Sequence, residues 1–327
     1  MEKIYGNKYL LSTLESMISS GKTTHTVLFH GEIGRGKKLI AKYYTMQLLC
    51  EDINDGKPCG MCNSCRNIDD GFHPDVIYAE KSGKLGGFSI ETVRKICNDA
   101  FIKPNNNSGR KVYIFTDCNK MDSRPQNALL KLIEEPPDYA YFIFTSNSCS
   151  DFLPTIISRC SCFGVSACTE EESRTALAEK GFGVDEINNA VNCFHGNIGM
   201  CERYIYDENL RNQVDLTKRL AESIIKKDEY ELNVAFYSAG KERSDVKNTL
   251  SMLDKLIRDA AVLNKDSNAA DIGCYRDGVS RLSNEITPFQ AIRIHQYICK
   301  AWEAVEHNVT IPLILAALCS EIIEVIE

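Results

Sequence analysis

The sequence predicts an α/β fold in the first half of the chain and an all-helical second half. Three short, continuously apolar segments at 26–30, 111–116 and 141–145 are separated by segments of helical periodicity. Continuous apolar strands that alternate with helices indicate a parallel sheet covered on both faces. After about residue 165 only helical periodicity remains.

The other expected elements follow the same alternation. At 90–101, apolar residues recur on one face of a helix. A helix at 125–135 ends before Pro136 and Pro137, since proline cannot continue it. Near the C-terminus, Ile311, Leu315, Leu318, Ile322 and Val325 fall on one face of a further helix. We also expect a strand at 75–78, a helix that ends at Leu49, helices at 169–180 and 184–194, and an exposed loop at 265–268.

The composition narrows the class of protein. The chain has 327 residues, enough for two or three domains, with 43% hydrophobic and 25% charged residues. It carries neither an N-terminal apolar stretch nor an apolar run near the ~20 residues of a membrane span, so we expect a cytoplasmic protein. A net charge of −7 argues against a dedicated nucleic-acid binder. The chain has 15 cysteines, which do not imply disulfides in a reducing compartment.

A glycine-rich motif at 31–38 lies between an expected strand and an expected helix. Gly31, Gly34 and Gly36 let the backbone N–H groups point at phosphate, and Lys37 would reach the terminal phosphates. A P-loop ends in a serine or threonine that holds magnesium. Here that position is Lys38, and an ammonium group cannot ligate a cation. The alternative is an ordinary glycine turn before a helix.

The strand at 111–116 is followed by Asp117, where P-loop ATPases place an aspartate that contacts magnesium. Capping of a turn is an equal alternative for this side chain. The next residue is Cys118, whose thiol is a poor general base for water at neutral pH. Two positions that serve catalysis in P-loop ATPases are therefore substituted independently.

Two long strings indicate the family. Residues 127–137, NALLKLIEEPP, and 153–160, LPTIISRC, resemble the signatures of clamp-loader subunits of bacterial DNA polymerase III, which are AAA+ proteins. His73-Pro74-Asp75 fits the same family, and the resemblance extends from about residue 3 to 165. In AAA+ enzymes a glutamate usually stands where this chain has Cys118.

The resemblance implies an architecture and partners. It implies a P-loop AAA+ domain at 1–165 with an insertion at about 50–65, a small helical lid at 166–207 and a helical collar for oligomerisation at 208–327. Family members assemble with gamma/tau and delta subunits into a ring that places a sliding clamp on primer-template DNA. In the family, the arginine of the SRC string acts as a finger in the neighbouring ATP site, and that residue is Arg159 here. The alternative is an arginine that pairs with a nearby acid, but the match of the whole string favours the finger.

The expected lid supplies a third difference from the ATP-binding members. Those members carry an arginine in a GxxR motif, and the matching stretch here is 196–199, so Gly199 replaces the arginine. The three differences resemble the delta-prime type of subunit more than the ATPase gamma/tau type. We therefore expect no intrinsic ATPase activity, while binding of ATP or ADP stays open.

A cluster of cysteines predicts a metal site. Cys50, Cys59, Cys62 and Cys65 have the spacing C-x8-C-x2-C-x2-C, with Gly56, Pro58 and Gly60 as turn residues. Four thiolates suit a structural zinc ion, and the family carries a zinc module at this place. A chance cluster in a cysteine-rich chain and a redox pair are the alternatives.

Three functions follow as hypotheses: a structural clamp-loader subunit without ATPase activity, an active ATPase of the gamma/tau type, and a zinc-dependent DNA-binding module. Lys38 and Cys118 argue against the second, and so does a chain of 327 residues. The acidic balance argues against the third.

Overall fold

The structure is a computed structural model that describes residues 2–83, 86–239, 242–266, 271–307 and 309–327. The chain divides into two compact units, Met1–Cys168 and Thr169–Glu327. The second half of the loop expected at 265–268 lies outside the described residues. Among the described residues, no helix is both long enough and apolar enough to cross a membrane.

A five-stranded parallel sheet forms the centre of the first unit. Across the sheet the strands lie in the order β2 (Val76–Tyr78), β3 (Lys111–Phe115), β4 (Ala140–Ser146), β1 (Thr26–His30) and β5 (Ser161–Gly164). The parallel sheet expected from the apolar runs is confirmed.

Both faces of the sheet are covered, which explains why its central strands are continuously apolar. Val27 and Phe29 pack in one core cluster, while Leu28 between them packs in the cluster on the opposite face. Successive side chains of a strand point to opposite faces, so a strand buried on both sides is apolar at most of its positions. The helices of this unit are α1 (Lys8–Ser19), α2 (Lys37–Leu49), α3 (Asn63–Asp70), α4 (Ile90–Asp99), α5 (Ser123–Glu134) and α6 (Pro154–Ile157).

Some boundaries differ from the sequence expectation. Helix α5 begins at Ser123, two residues before the expected start, with Pro125 in its first turn. Proline is tolerated there because the first N–H groups of a helix have no intrahelical partner. The sequence pattern predicted neither α1 nor α3.

The strand order brings three loops together. Because β4 lies between β3 and β1 in a parallel sheet, the carboxyl ends of all three strands meet at one edge. In open α/β sheets this edge is where ligands bind. The segments that follow β1, β3 and β4 therefore build the candidate site.

The second unit is helical throughout its described part. Helices α7–α9 pack around Leu177, Val191 and Cys201, and the later helices share a larger apolar cluster that includes Leu253 and Leu318. The helices are α7 (Glu170–Glu179), α8 (Val184–Phe194), α9 (Ile198–Tyr206), α10 (Glu208–Lys226), α11 (Glu229–Tyr237), α12 (Arg243–Leu263), α13 (Arg276–Glu285), α14 (Pro288–Glu306) and α15 (Ile311–Ile326).

Candidate functional site

The glycine-rich loop has the backbone that its sequence predicts. It joins β1 to α2, and Gly34 and Gly36 have φ angles of 88° and 81°. Side chains with a Cβ rarely adopt these angles. Gly31, with φ 152°, follows β1 directly, and Gly36 is the N-cap of α2. The free N–H groups of the helix start therefore lie at the sheet edge described above.

Lys37 is folded back onto the loop. Its Nζ donates to the carbonyl oxygens of Gly31 at 2.6 Å and Glu32 at 2.8 Å, and to Asn147 Oδ1 at 3.4 Å. The residue is only 7% exposed. Burial is the main cause that lowers the pKa of this ammonium, although the charge of Asp117 acts in the opposite direction. Asn147, one residue after β4, is a contact that the sequence reasoning missed.

Asp117 forms ion pairs with two lysines. Lys38 Nζ lies 2.6 Å and Lys81 Nζ 2.9 Å from Asp117 Oδ2. Desolvation acts to raise the pKa of the carboxyl, but the hydrogen bonds and charges of the two lysines outweigh it, so the pKa is lowered. Asp117 makes no capping hydrogen bond with its side chain, and Thr145 Oγ1 accepts from its backbone N–H at 2.9 Å.

The site therefore has cations of its own. The ammonium of Lys38 stands beside the carboxylate that would contact magnesium in a P-loop ATPase. Lys81 adds a second positive charge, and no sequence motif predicted it because it follows β2, 36 residues before Asp117. A divalent cation at this carboxylate would meet electrostatic repulsion from both lysines.

Cys118 points into the core and not toward the candidate site. Its side chain is fully buried, with 0% exposure, and its Sγ donates to the carbonyl oxygen of Phe115 at 3.4 Å. Burial raises the pKa of the thiol well above its usual range. The thiol is therefore neutral and inaccessible at physiological pH, which excludes it as a general base.

Arg159 makes its contacts away from the glycine-rich loop. Nη2 pairs with Glu134 Oε1 at 2.8 Å, and Nη1 donates to the carbonyl oxygen of Thr155 at 2.8 Å and to Ser158 Oγ at 3.1 Å. The side chain is 38% exposed. The sheet edge thus brings together Gly31, Gly34, Gly36, Lys37 and Asp117, while Arg159 is presented on the surface by α5 and α6.

Gly199 lies in the first turn of α9. Asn197 caps this helix, and its side chain accepts from the backbone N–H of Met200 at 3.2 Å. A glycine offers no side chain that could reach a phosphate. This segment belongs to the second unit.

The four predicted metal ligands lie together between α2 and α3. The Sγ atoms of Cys50, Cys59, Cys62 and Cys65 all lie within 4.8 Å of one another. Four thiolates around one zinc, at Zn–S distances of about 2.3 Å, stand about 3.8 Å apart. The donor set and its spacing therefore fit a four-thiolate zinc ion.

Backbone N–H groups surround these thiols. Met61 and Cys62 donate to Cys59 Sγ at 3.4 and 3.3 Å, and these bonds are the main reason that the pKa of the Cys59 thiol is lowered to about 7. Burial raises the pKa of the Cys65 thiol instead. The Cys65 N–H donates to Cys62 Sγ at 3.4 Å, so Cys62 is both a candidate ligand and the N-cap of α3.

Comparison with known proteins shows what the first half of the chain is similar to. The family model described as "DNA polymerase III, delta subunit" matches residues 6–168. Residues 6–168 are therefore similar to delta, tau and gamma subunits of DNA polymerase III. Over 175 residues, 53% of this chain, the sequence is 31% identical to DNA polymerase III subunit tau of Escherichia coli K12. Over 171 residues it is 32% identical to subunit gamma of Buchnera aphidicola subsp. Schizaphis graminum.

The region matched in these tau and gamma subunits is less than half of their length. The aligned region spans 26% of the tau subunit and 46% of the gamma subunit. Among solved structures, a gamma subunit-related protein of DNA polymerase III from Thermotoga maritima is similar with a TM-score of 0.47 and 17% identity, covering 97% of this chain and 99% of that one. The clamp loader delta protein of Bacillus subtilis is similar with a TM-score of 0.37 and 9% identity, covering 96% and 99%.

Proposed function

We propose that this chain is a clamp-loader subunit of the delta-prime type, which supplies an arginine finger and does not hydrolyse ATP. The observation that carries the proposal is the pair of ammonium groups on Asp117, at 2.6 and 2.9 Å. Magnesium needs oxygen ligands in octahedral geometry. With Lys38 in place of serine or threonine, the hydroxyl ligand is missing, and a positive charge lies beside the second ligand, the Asp117 carboxylate.

The remaining chemistry agrees with this proposal. Hydrolysis needs a group that orients or deprotonates the attacking water, and the buried Cys118 thiol does neither. Arg159, in contrast, is 38% exposed, and a guanidinium group can bind two phosphate oxygens in parallel. A subunit without hydrolysis of its own but with an exposed arginine is suited to complete the ATP site of a neighbour.

The proposed partners are the gamma/tau and delta subunits and, through them, the sliding clamp and primer-template DNA. In this proposal residues 1–165 form the AAA+ domain, 166–207 the lid and 208–327 the collar through which subunits assemble. We place the protein in the cytoplasm, where replication takes place in bacteria.

The proposed cofactor is one zinc ion held by Cys50, Cys59, Cys62 and Cys65. Four protein ligands leave no open position for a substrate, so the ion is structural. Its role is to fix the segment between α2 and α3 against the core of the first unit.

An active ATPase of the gamma/tau type is the alternative function. The identities of 31% and 32% to tau and gamma subunits favour it. It requires that Lys38 and Lys81 leave Asp117 when nucleotide and magnesium arrive. Binding of ATP or ADP to the glycine loop is compatible with both functions, whereas hydrolysis is compatible only with the ATPase.

We expect the purified protein alone, with magnesium, to show no steady-state ATP hydrolysis. Lys37→Ala is the control, because any residual turnover that comes from a contaminant is unchanged by this substitution. Turnover that persists through purification and disappears in Lys37→Ala would identify a motor subunit and overturn the proposal.

Lys38→Thr is expected to restore magnesium-dependent nucleotide binding. The substitution removes the ammonium from Asp117 and supplies the hydroxyl that P-loop proteins use on magnesium. ATP should bind at least about tenfold more tightly than to the unmodified chain, or about 1.4 kcal/mol. Calorimetry with and without magnesium measures this, and turnover should stay absent because Cys118 is unchanged.

Lys42→Thr is the matched control for that experiment. Lys42 lies on the same helix, but pairs with Asp69 at 2.6 Å. It should leave nucleotide affinity unaltered. Equal affinities of Lys38→Thr and the unmodified chain, in both the presence and absence of magnesium, would show that Lys38 does not control the site.

A further inference from the structure

The arginine that we propose as a finger is already engaged in the free chain. Its Nη2 pairs with Glu134 Oε1 at 2.8 Å, while Nη1 is held by the carbonyl oxygen of Thr155 and the hydroxyl of Ser158. Glu134 is the last residue of α5. An acidic side chain at a helix C-terminus is disfavoured by the helix dipole, so a cationic partner is needed to stabilise it.

The two sides of this guanidinium have different kinds of partner. The partners of Nη1 are Thr155 in α6 and Ser158 at its C-cap, both within four residues of Arg159 in the sequence. The partner of Nη2 comes from another helix and is a carboxylate, the side-chain anion nearest in shape to a phosphate edge. The Nη1 contacts can therefore persist while the Nη2 partner is exchanged.

The exchange costs little. The side chains of Arg159 and Glu134 are 38% and 44% exposed, so water screens the pair and replaces its hydrogen bonds. A terminal phosphate carries more charge than a carboxylate and accepts two parallel N–H bonds from guanidinium. An incoming phosphate would therefore displace Glu134.

We propose that Glu134 is a positioning residue that holds Arg159 in the free chain and releases it to the phosphate presented by a neighbouring subunit. The inference rests on the proposed function, since it assumes that Arg159 acts in trans. Glu134 would keep the guanidinium in place and prevent non-specific pairing, and the contact with ATP would depend on assembly.

Two measurements test this separately. In the isolated chain, an arginine-selective dicarbonyl reagent followed by mass spectrometry gives the modification rate at Arg159. Glu134→Gln should raise that rate about 1.4- to 5-fold, the range that exposed ion pairs are worth. Glu135→Gln removes the same charge from the adjacent residue, which lies outside the ion pair, and should leave the rate unchanged.

The second measurement uses the complex assembled with its ATPase subunits. Glu134→Gln should lower the apparent KM for ATP by about the same factor, with a smaller change in kcat, because the carboxylate competes with phosphate for Arg159. The double variant Glu134→Gln/Arg159→Ala should behave like Arg159→Ala alone, since the gain passes through the arginine.

The outcomes separate the inference from the proposed function. An unchanged modification rate in Glu134→Gln would overturn the holding role, whatever Arg159 does in the complex. A faster modification together with a raised KM would overturn the competition, because Glu134 would then support the finger. Unaltered turnover in Arg159→Ala would instead overturn the proposed function, while the modification rates still judge the holding role.

Discussion

Replacing Arg159 with alanine is expected to slow ATP hydrolysis at the neighbouring subunit's site by about 10³-fold or more, the effect of arginine fingers in related GTPases. In the proposed role the guanidinium would stabilise charge that develops on the transferred phosphoryl group, so its loss should act on kcat rather than on assembly. Single-turnover hydrolysis by the assembled complex measures the effect, and gel filtration shows that the complex has formed. Steady-state turnover of the whole complex should fall by the fraction that the affected ATP site contributes.

Two further variants make this result specific. Arg159→Lys should rescue little, because an ammonium group is a point charge and cannot bind two phosphate oxygens in parallel. Arg94→Ala, an exposed arginine of α4, is the surface control and should leave turnover as it is. Normal turnover in a fully assembled Arg159→Ala complex would mean that the neighbour's site is complete without this chain.

The sequence predicted best those strands whose two faces are both buried. β3 and β4 are buried on both faces, and every residue of each strand is buried. Such strands leave an uninterrupted apolar run in the sequence. β5, with the sequence SCFG, is only partly buried and pairs with β1 alone, so neither alternation nor a run distinguishes it.

The candidate site divides in the same way. The glycine-rich loop and Asp117 could be predicted because each depends only on residues that are close in sequence. The loop needs glycines at fixed spacing, and Asp117 directly follows a strand. Lys81 and Asn147 come from loops after β2 and β4, and only the strand order brings them to Asp117 and Lys37. A lysine or asparagine in a loop carries no local pattern that indicates such a contact.

The structure also changes the meaning of a substitution that the sequence had revealed. From the sequence, Lys38 is a missing hydroxyl; in the structure, its ammonium lies 2.6 Å from the carboxylate that the hydroxyl would have assisted. Losing a ligand weakens metal binding, whereas adding a cation at the same place also opposes it by charge. Hence Lys38→Thr should both supply a ligand for the metal and remove the charge that repels it.

Removing the proposed zinc ion should destabilise the first unit strongly. Metal analysis of the purified protein should find one zinc per chain, and Cys65→Ser should lose it. Cys65 and Ile68 of α3 pack in the same core cluster as Phe29 and Tyr44, so the module is continuous with the core of the sheet. Freeing this segment exposes one side of that cluster to water.

Loss of a structural metal belongs to the few single changes that cost about 4 kcal/mol or more. For a domain of this size, that corresponds to a fall in Tm of about 8–16 °C. Thermal unfolding of Cys65→Ser measures it, with Cys299→Ser, an exposed cysteine of α14, as the control that should keep both zinc and Tm. A native protein without metal, or a Cys65→Ser variant with unaltered zinc and Tm, would mean that the four thiols meet for packing alone. If instead Tm falls with the metal, the ion supplies the stability that a segment of turns and one short helix cannot obtain from its own buried surface.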